Sequence, residues 1–245
     1  MILAEPPLSQ GDLHFTLLGY PVRIHPFFWL VALMMGMNLQ DPILIGIWVL
    51  AMVVCILLHE MGHAVVMQAY GFTPSIVLYS FGGLAIPHAS RYGVRRVGPW
   101  GQMLISFAGP ASGFILAAVL VLTLHYLAGY PLEFYFRVVP AVFVPNHHFL
   151  SSFLNSVLQI TVLWGLLNLL PIYPLDGGQI AQQVFALNNP QDAIRPSLIL
   201  SVIVGGLMAA IALMQWQSLY TALLFIWMTY SNYMTLQSYQ SRGGW

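Results

Sequence analysis

The sequence has no lysine, and its seven basic side chains, all arginine, are balanced by seven acidic ones for a net charge of zero. A protein that grips nucleic acid neutralises phosphates with a basic surface, and none is available here, so that class is excluded. Cysteine is nearly absent too. Cys55 alone rules out an internal disulfide and a thiolate zinc cluster, which leaves histidine and carboxylate as the strong metal ligands. Charged residues make up only 6% of the chain against 59% hydrophobic, and the mean hydropathy is +0.79. That balance lies far from a soluble domain and describes a polytopic membrane protein. Repeats, low-complexity tracts and long soluble stretches are also missing. The expectation is a single membrane domain over 1–245, with a tail at 1–25, a core at 26–185 and a C-terminal helical pair at 198–233. The opening "MILAEPPLSQGDLHF" has no basic n-region and does not read as a cleaved signal peptide.

What is present is a series of apolar runs. A spanning helix needs about 20 mostly apolar residues, and six stretches are candidates: Pro26 to Leu39, Ile43 to Ala69, Trp100 to Tyr126, Phe153 to Phe185, Leu198 to Met214 and Trp216 to Tyr233. The fold class expected is therefore an all-α membrane protein of about six transmembrane helices. A short β-hairpin or sheet segment is expected between the second and third spans, where "GFTPSIVLYSFGGLAIPHAS" is too short and too rich in Gly and Pro to span. Val77, Tyr79 and Phe81 alternate there, and Pro74 and a Gly82-Gly83 turn bound the strands. A bare strand edge cannot face lipid, so this segment must pack on protein or line a wet cavity.

Cytoplasmic loops collect positive charge. With both termini cytoplasmic, Arg23, Arg91, Arg95, Arg96, Arg195 and Arg242 lie inside and only Arg137 outside.

Three ionisable residues sit in one of the most apolar segments, as His59-Glu60-Met61-Gly62-His63. Residues four apart share a helix face, so His59 and His63 present two imidazoles one turn apart, half of a metal site. Glu60, one residue round, is placed to act as a base on water rather than as a ligand. From this composition an HExxH match arises by chance in about 0.3% of sequences. An ionisable group at mid-span costs at least ~2.5 to 3.5 kcal/mol and calls for a partner. Catalytic zinc takes three protein ligands and leaves one position open. Asp176 fits as the third, because Pro171 and Pro174 break its helix and Gly177-Gly178 free the backbone to turn the carboxylate inward. Glu5 and Asp12 lie in the tail, and Asp41, Glu133 and Asp192 fall in expected loops. Two neutral histidines and one carboxylate on zinc leave +1, which ionised Glu60 offsets. Gly109 and Gly113, a GxxxG pair in the third span, read as helix packing, and Cys55 as a small buried hydrophobe.

His59 to His63, followed by Asn168-Leu169-Leu170-Pro171 and Leu175-Asp176-Gly177-Gly178, resembles the site-2 protease family of intramembrane zinc metalloproteases. "SFGGLA" and "FAGPASGF" look like family features as well. The resemblance implies one Zn2+ per chain held by His59, His63 and Asp176, with Glu60 as catalytic base. Asn168 matches the family asparagine that positions substrate or stabilises the oxyanion. It further implies hydrolysis of a peptide bond in or near a transmembrane segment of a membrane-protein substrate, at the cytoplasmic side of a prokaryotic cell membrane. No appended PDZ or CBS-type domain is expected, and lipid is the other expected partner. The alternative is a polytopic metal-binding transporter using the same His/Asp cluster without proteolysis. Glu60 discriminates, since a transport site needs no base beside its first ligand.

The arginine pattern gives a direct test. A cysteine placed in residues 91–96, in a Cys55→Ala background, should react with a membrane-impermeant maleimide only from the cytoplasmic face. Reaction from the outside alone would invert the topology.

Overall fold

In a computed structural model of the chain, residues 5–80, 82–89, 97–135 and 138–242 are described. Phe81, the Arg91, Arg95 and Arg96 loop, and Arg137 lie outside them. Contacts divide the chain into two compact units: residues 4–96 with 108–166, and residues 97–107 with 167–245 and 1–3.

The first unit begins with strands. β1 (Leu13–Leu17) and β2 (Tyr20–Ile24) pair antiparallel through a two-residue turn in which Leu18 (φ 50°) and Gly19 (φ 89°) are both left-handed. Two positive φ values give the turn the right-handed twist that a tight hairpin needs. Within the expected tail at 1–25, residues 13–17 and 20–24 are therefore paired strands. Its usual signature, Asn-Gly or Asp-Gly, is absent from "LLGY", which hides the hairpin in the sequence.

Arg23, counted above among loop cations, is buried in β2 instead. It holds Glu5 Oε1 and Asp12 Oδ2, each at 2.9 Å, together with the carbonyls of Pro6 and Pro7. Burial pushes the Asp12 carboxyl up, but the Ser9 N–H and the Arg23 guanidinium outweigh it and hold the group below the usual carboxylate range.

From β2 the chain enters α1 (Pro26–Gly36), capped by His25 Nδ1 accepting from the Phe27 N–H, and a short 3-10 turn at Met37–Leu39. α2 (Pro42–Ala69) follows, with Asp41 accepting from the Ile43 N–H at 2.8 Å and Pro42 preset for the first turn. At 28 residues it is about 42 Å long, more than a hydrocarbon core. Gly71, at φ 91°, stops it.

β3 (Ser75–Tyr79) and β4 (Gly82–Ile86) then form a hairpin, and β3 lies parallel to β2 to make a four-stranded sheet in the order β1-β2-β3-β4. Val77 and Tyr79 lie in β3, but Gly82 and Gly83 belong to β4 rather than to a turn. One apolar core joins sheet and helices. Ile24, Phe28, Ile56, Ile76 and Leu78 are each at most 1% exposed within it.

α3 (Pro99–Val121) continues into a π turn at Leu122–Leu127. A second hairpin, β5 (Leu132–Tyr135) with β6 (Val139–Val142), was not expected, and it takes Glu133 out of a loop into a strand. α4 (His148–Asn168) follows. The stretch expected as one span from Phe153 to Phe185 is thus two helices, because residues 169–175 with their prolines interrupt it before α5 (Asp176–Asn188).

In the second unit α6 (Ile194–Met214) and α7 (Leu219–Arg242) pair, and Ile172, Ala209, Phe225 and Met228 form their core. Among the described residues four helices are long and apolar enough to cross a membrane: α2, α3 with its π turn, α4 and α6. They correspond to four of the six expected spans. α1 is shorter, and α7 carries Thr229, Ser231, Asn232 and Thr235. The chain is an integral membrane protein, mostly helical, with a small sheet that starts near its N-terminus.

Holding a non-glycine residue at left-handed φ costs about 1 to 2 kcal/mol. Gly19→Val should therefore lower the stability of the purified protein by that amount in denaturant unfolding followed by Trp fluorescence. Wild-type stability would contradict the turn described.

Candidate metal centre

α2 brings His59, Glu60 and His63 together, each no more than 6% exposed. The two Nε2 atoms stand 3.2 Å apart, with the rings edge to face. Two imidazole nitrogens at about 2.0 to 2.1 Å from one tetrahedral ion stand about 3.3 Å apart, so the pair has the spacing of two ligands on one ion. One donor atom from each of the three residues lies within 4.8 Å of the others.

The neighbourhood is carved by missing side chains. A Cβ on Gly109 of α3 would overlap His63 Nε2 and come within 2.8 Å of His59 Nε2. A Cβ on Gly62, inside the motif, would collide with the Ala108 carbonyl. Ser112 locks the crossing by donating to the carbonyls of Leu58 (3.0 Å) and Gly109 (2.7 Å). Gly109 thus does more than the packing expected of it: it leaves the volume into which both imidazole tips project. Gly113 fits the packing role, its nearest neighbour being the Thr161 carbonyl at 3.4 Å from an added Cβ. The signal for Gly109 was its place in "FAGPASGF", although nothing in one sequence ties that glycine to the histidines.

Glu60 faces the sheet. A Cβ on Gly83 of β4 would strike the Glu60 carboxylate, so strand and side chain are in direct contact. β4 is the outer strand of its sheet and, among the described residues, pairs with β3 alone. Cys55, a turn before His59, points its thiol at the Val157 carbonyl at 3.7 Å and belongs to the core.

Asp176 and Asn168 lie in the other unit. Both are buried, Asp176 as the first residue of α5 and Asn168 as the last of α4. α5 can begin there because Gly177 and Gly178 rest directly on the preceding backbone: an added Cβ would meet the carbonyls of Leu169 and Leu170 at the first and of Ile172 at the second. Three of the other acids have separate employment, Glu5 and Asp12 on Arg23 and Asp41 at a helix cap. Nitrogen and oxygen donors without thiolate, at tetrahedral spacing, suit zinc.

The arrangement is an HExxH pair on a helix long and apolar enough to cross a membrane, with a strand against its glutamate. The model of peptidase family M50 matches residues 47–210, and the chain belongs to that family, as its resemblance to the site-2 proteases implied. A zinc metalloprotease of Methanocaldococcus jannaschii is 26% identical over 179 residues, covering 70% of this chain and 44% of that protein. The putative zinc metalloprotease Rip3 of Mycobacterium tuberculosis is 28% identical over 195 residues, with 74% and 44% covered. The chain therefore spans less than half the length of these curated relatives. The solved site-2 protease from Methanocaldococcus jannaschii superposes with a TM-score of 0.56 at 21% identity, over 92% of this chain and 95% of that one, and so shares its fold.

Gly109→Ala should push the imidazoles apart and lower zinc affinity by about tenfold, the scale of losses at groups supporting metal ligands. Gly113→Ala should retain wild-type affinity. Zinc content by mass spectrometry after dialysis against graded chelator reads both, and equal retention in the two variants would refute the role of Gly109.

Proposed function

We propose that the protein is an intramembrane zinc endopeptidase that hydrolyses a peptide bond in or near a transmembrane segment of a membrane-protein substrate. The observation that carries this reading is the contact between Glu60 and β4, which puts a carboxylate of an HExxH pair against the outer strand of a sheet. The family and the names of its relatives support it. His59, His63 and Asp176 would hold one Zn2+, with Asp176 supplied by the break between α4 and α5. Zinc bound there supplies Lewis-acid polarisation of the scissile carbonyl and makes water more acidic.

The chain's own residues do the rest. Glu60 takes the proton of the attacking water as oxygen adds to the carbonyl carbon. It then delivers that proton to the amine as the C–N bond breaks. Asn168 carries an amide suited to orient substrate or to donate to the developing oxyanion. An unwound substrate segment joins β4 by main-chain hydrogen bonds, which favours extended backbone with little demand on sequence. Within residues 75–86 the edge lies on β4, because β3 is paired on both sides. With termini in the cytoplasm and six spans, cleavage falls on the cytoplasmic side of the cell membrane, and the two units act as one protease domain. The metal-binding transporter is the weaker reading, as transport gives no reason to seat a carboxylate against a strand edge.

Glu60→Gln preserves shape and all three ligands but cannot accept a proton. It should keep zinc and lose cleavage of a model transmembrane peptide by at least about a hundredfold, the lower range for a general base. His59→Ala, His63→Ala and Asp176→Ala should lose both zinc and activity. A Glu60→Gln protein that cuts at the wild-type rate would exclude the assigned role, and zinc movement across vesicles by an uncleaving wild type would favour transport.

A further inference from the structure

Tyr173 lies three residues before Asp176, in the irregular stretch between α4 and α5, and both polar groups of its backbone are engaged by the C-terminal helices. Its N–H donates to Ser201 Oγ of α6 at 2.9 Å. Its carbonyl accepts from Asn232 Nδ2 of α7 at 2.5 Å. Ser201 and Asn232 are both completely buried. Each is also tied to its own helix, Ser201 Oγ donating to the Ser197 carbonyl and Asn232 Nδ2 to the Met228 carbonyl, both at 2.8 Å. The two side chains are therefore oriented by their helices and grip one peptide from two sides.

That grip reaches Asp176 through rigid contacts. Ile172, 0% exposed, is set among Ala209, Phe225 and Met228 of α6 and α7. The first turn of α5 has no room to slide over this segment, because an added Cβ at Gly178 would sit 2.6 Å from the Ile172 carbonyl and one at Gly177 would sit 2.5 Å from the Leu170 carbonyl. Asp176 opens that turn. Fixing the Tyr173 peptide thus fixes the origin of the carboxylate.

Packing alone does not account for Asn232. Its Oδ1 is buried with no hydrogen-bond partner among the described residues, a cost that a leucine of similar size would avoid. Polar residues in membrane helices ordinarily bind a neighbouring helix. Here they bind non-helical backbone instead, and that backbone carries the carboxylate read above as a zinc ligand.

We propose that Ser201 and Asn232 are positioning residues for Asp176, clamping the Tyr173 peptide so that the carboxylate is held at its place on the metal. The proposal rests on the reading of Asp176 as a ligand. It needs no contact between either residue and substrate or metal.

The test uses the full chain in detergent, with zinc affinity measured by competition with a chromophoric chelator and thermal unfolding followed in parallel. Ser201→Thr and Ser201→Val add the same bulk and differ only by the hydroxyl. Val should weaken zinc binding about tenfold relative to Thr, as for other groups that orient ligands, and Asn232→Leu should weaken it similarly. On an Asp176→Ala background neither Ser201→Val nor Asn232→Leu should cause a further loss. A residue that only glues helices would lower the unfolding temperature and leave zinc affinity alone, and that result in Ser201→Val and Asn232→Leu, beside an Asp176→Ala protein that loses zinc, would overturn the clamp while sparing the ligand reading. Asp176→Ala with wild-type zinc affinity would overturn the ligand reading and the clamp with it. Should Asn232→Leu not fold, the Thr and Val pair decides alone.

Discussion

Ionisable groups do not remain in the interior of a membrane protein without partners, and this constraint organises the whole molecule. His59, Glu60 and His63 lie on the most apolar of the long helices among the described residues, where solvation of a charge is withdrawn and no lysine exists anywhere to compensate. The fold answers with geometry. The imidazoles converge to ligand spacing, a glycine on α3 clears the volume around them and one on β4 the volume beside Glu60, and Ser112 pins the crossing that holds α3 in place. Metal binding completes the same compensation. The segment is apolar because it must cross, and it is tolerable because its polar groups are committed to one another.

Glycine, more than any charged residue, shapes this centre. At Gly62, Gly83 and Gly109 the missing Cβ is what permits contact, and each touches a different partner: the backbone of α3, the carboxylate of Glu60 and the tips of the imidazoles. At Gly177 and Gly178 the same device lets a helix begin directly on the backbone that precedes it. Such positions are intolerant for reasons of volume rather than of chemistry.

The proximity of His59 and His63 was legible in the sequence, because a four-residue spacing on a helix is local and its geometry follows from the pitch. The strands at residues 75–86 were legible from alternation, and the helix break near Asp176 from its prolines. The β1–β2 hairpin was not, since its turn residues are Leu18 and Gly19 and four of the five β1 residues are exposed, which blurs the alternation. The roles of Gly109, Ser201 and Asn232 were hidden for another reason. Each depends on a neighbour tens of residues distant in the chain, and one sequence carries no signal of that proximity. Arg23 misled in the same way: its charge suggests a loop, and only the fold shows it surrounded by Glu5, Asp12 and two carbonyls.

The parallel pairing of β2 with β3 has a topological corollary. The chain leaves the sheet at Ile24, runs through α1 and α2, and must return to lay Ile76, Val77 and Leu78 beside Val22, Arg23 and Ile24. An excursion that begins and ends at neighbouring strands brings the chain back to the depth at which it left. β1, β2, β3 and β4 are therefore held together in a single sheet. The sheet also closes late in synthesis, because β2 waits for both helices to emerge before its second partner exists. The HExxH helix is in that sense threaded before it is fastened, and the last knot is tied by β4, the strand that touches Glu60.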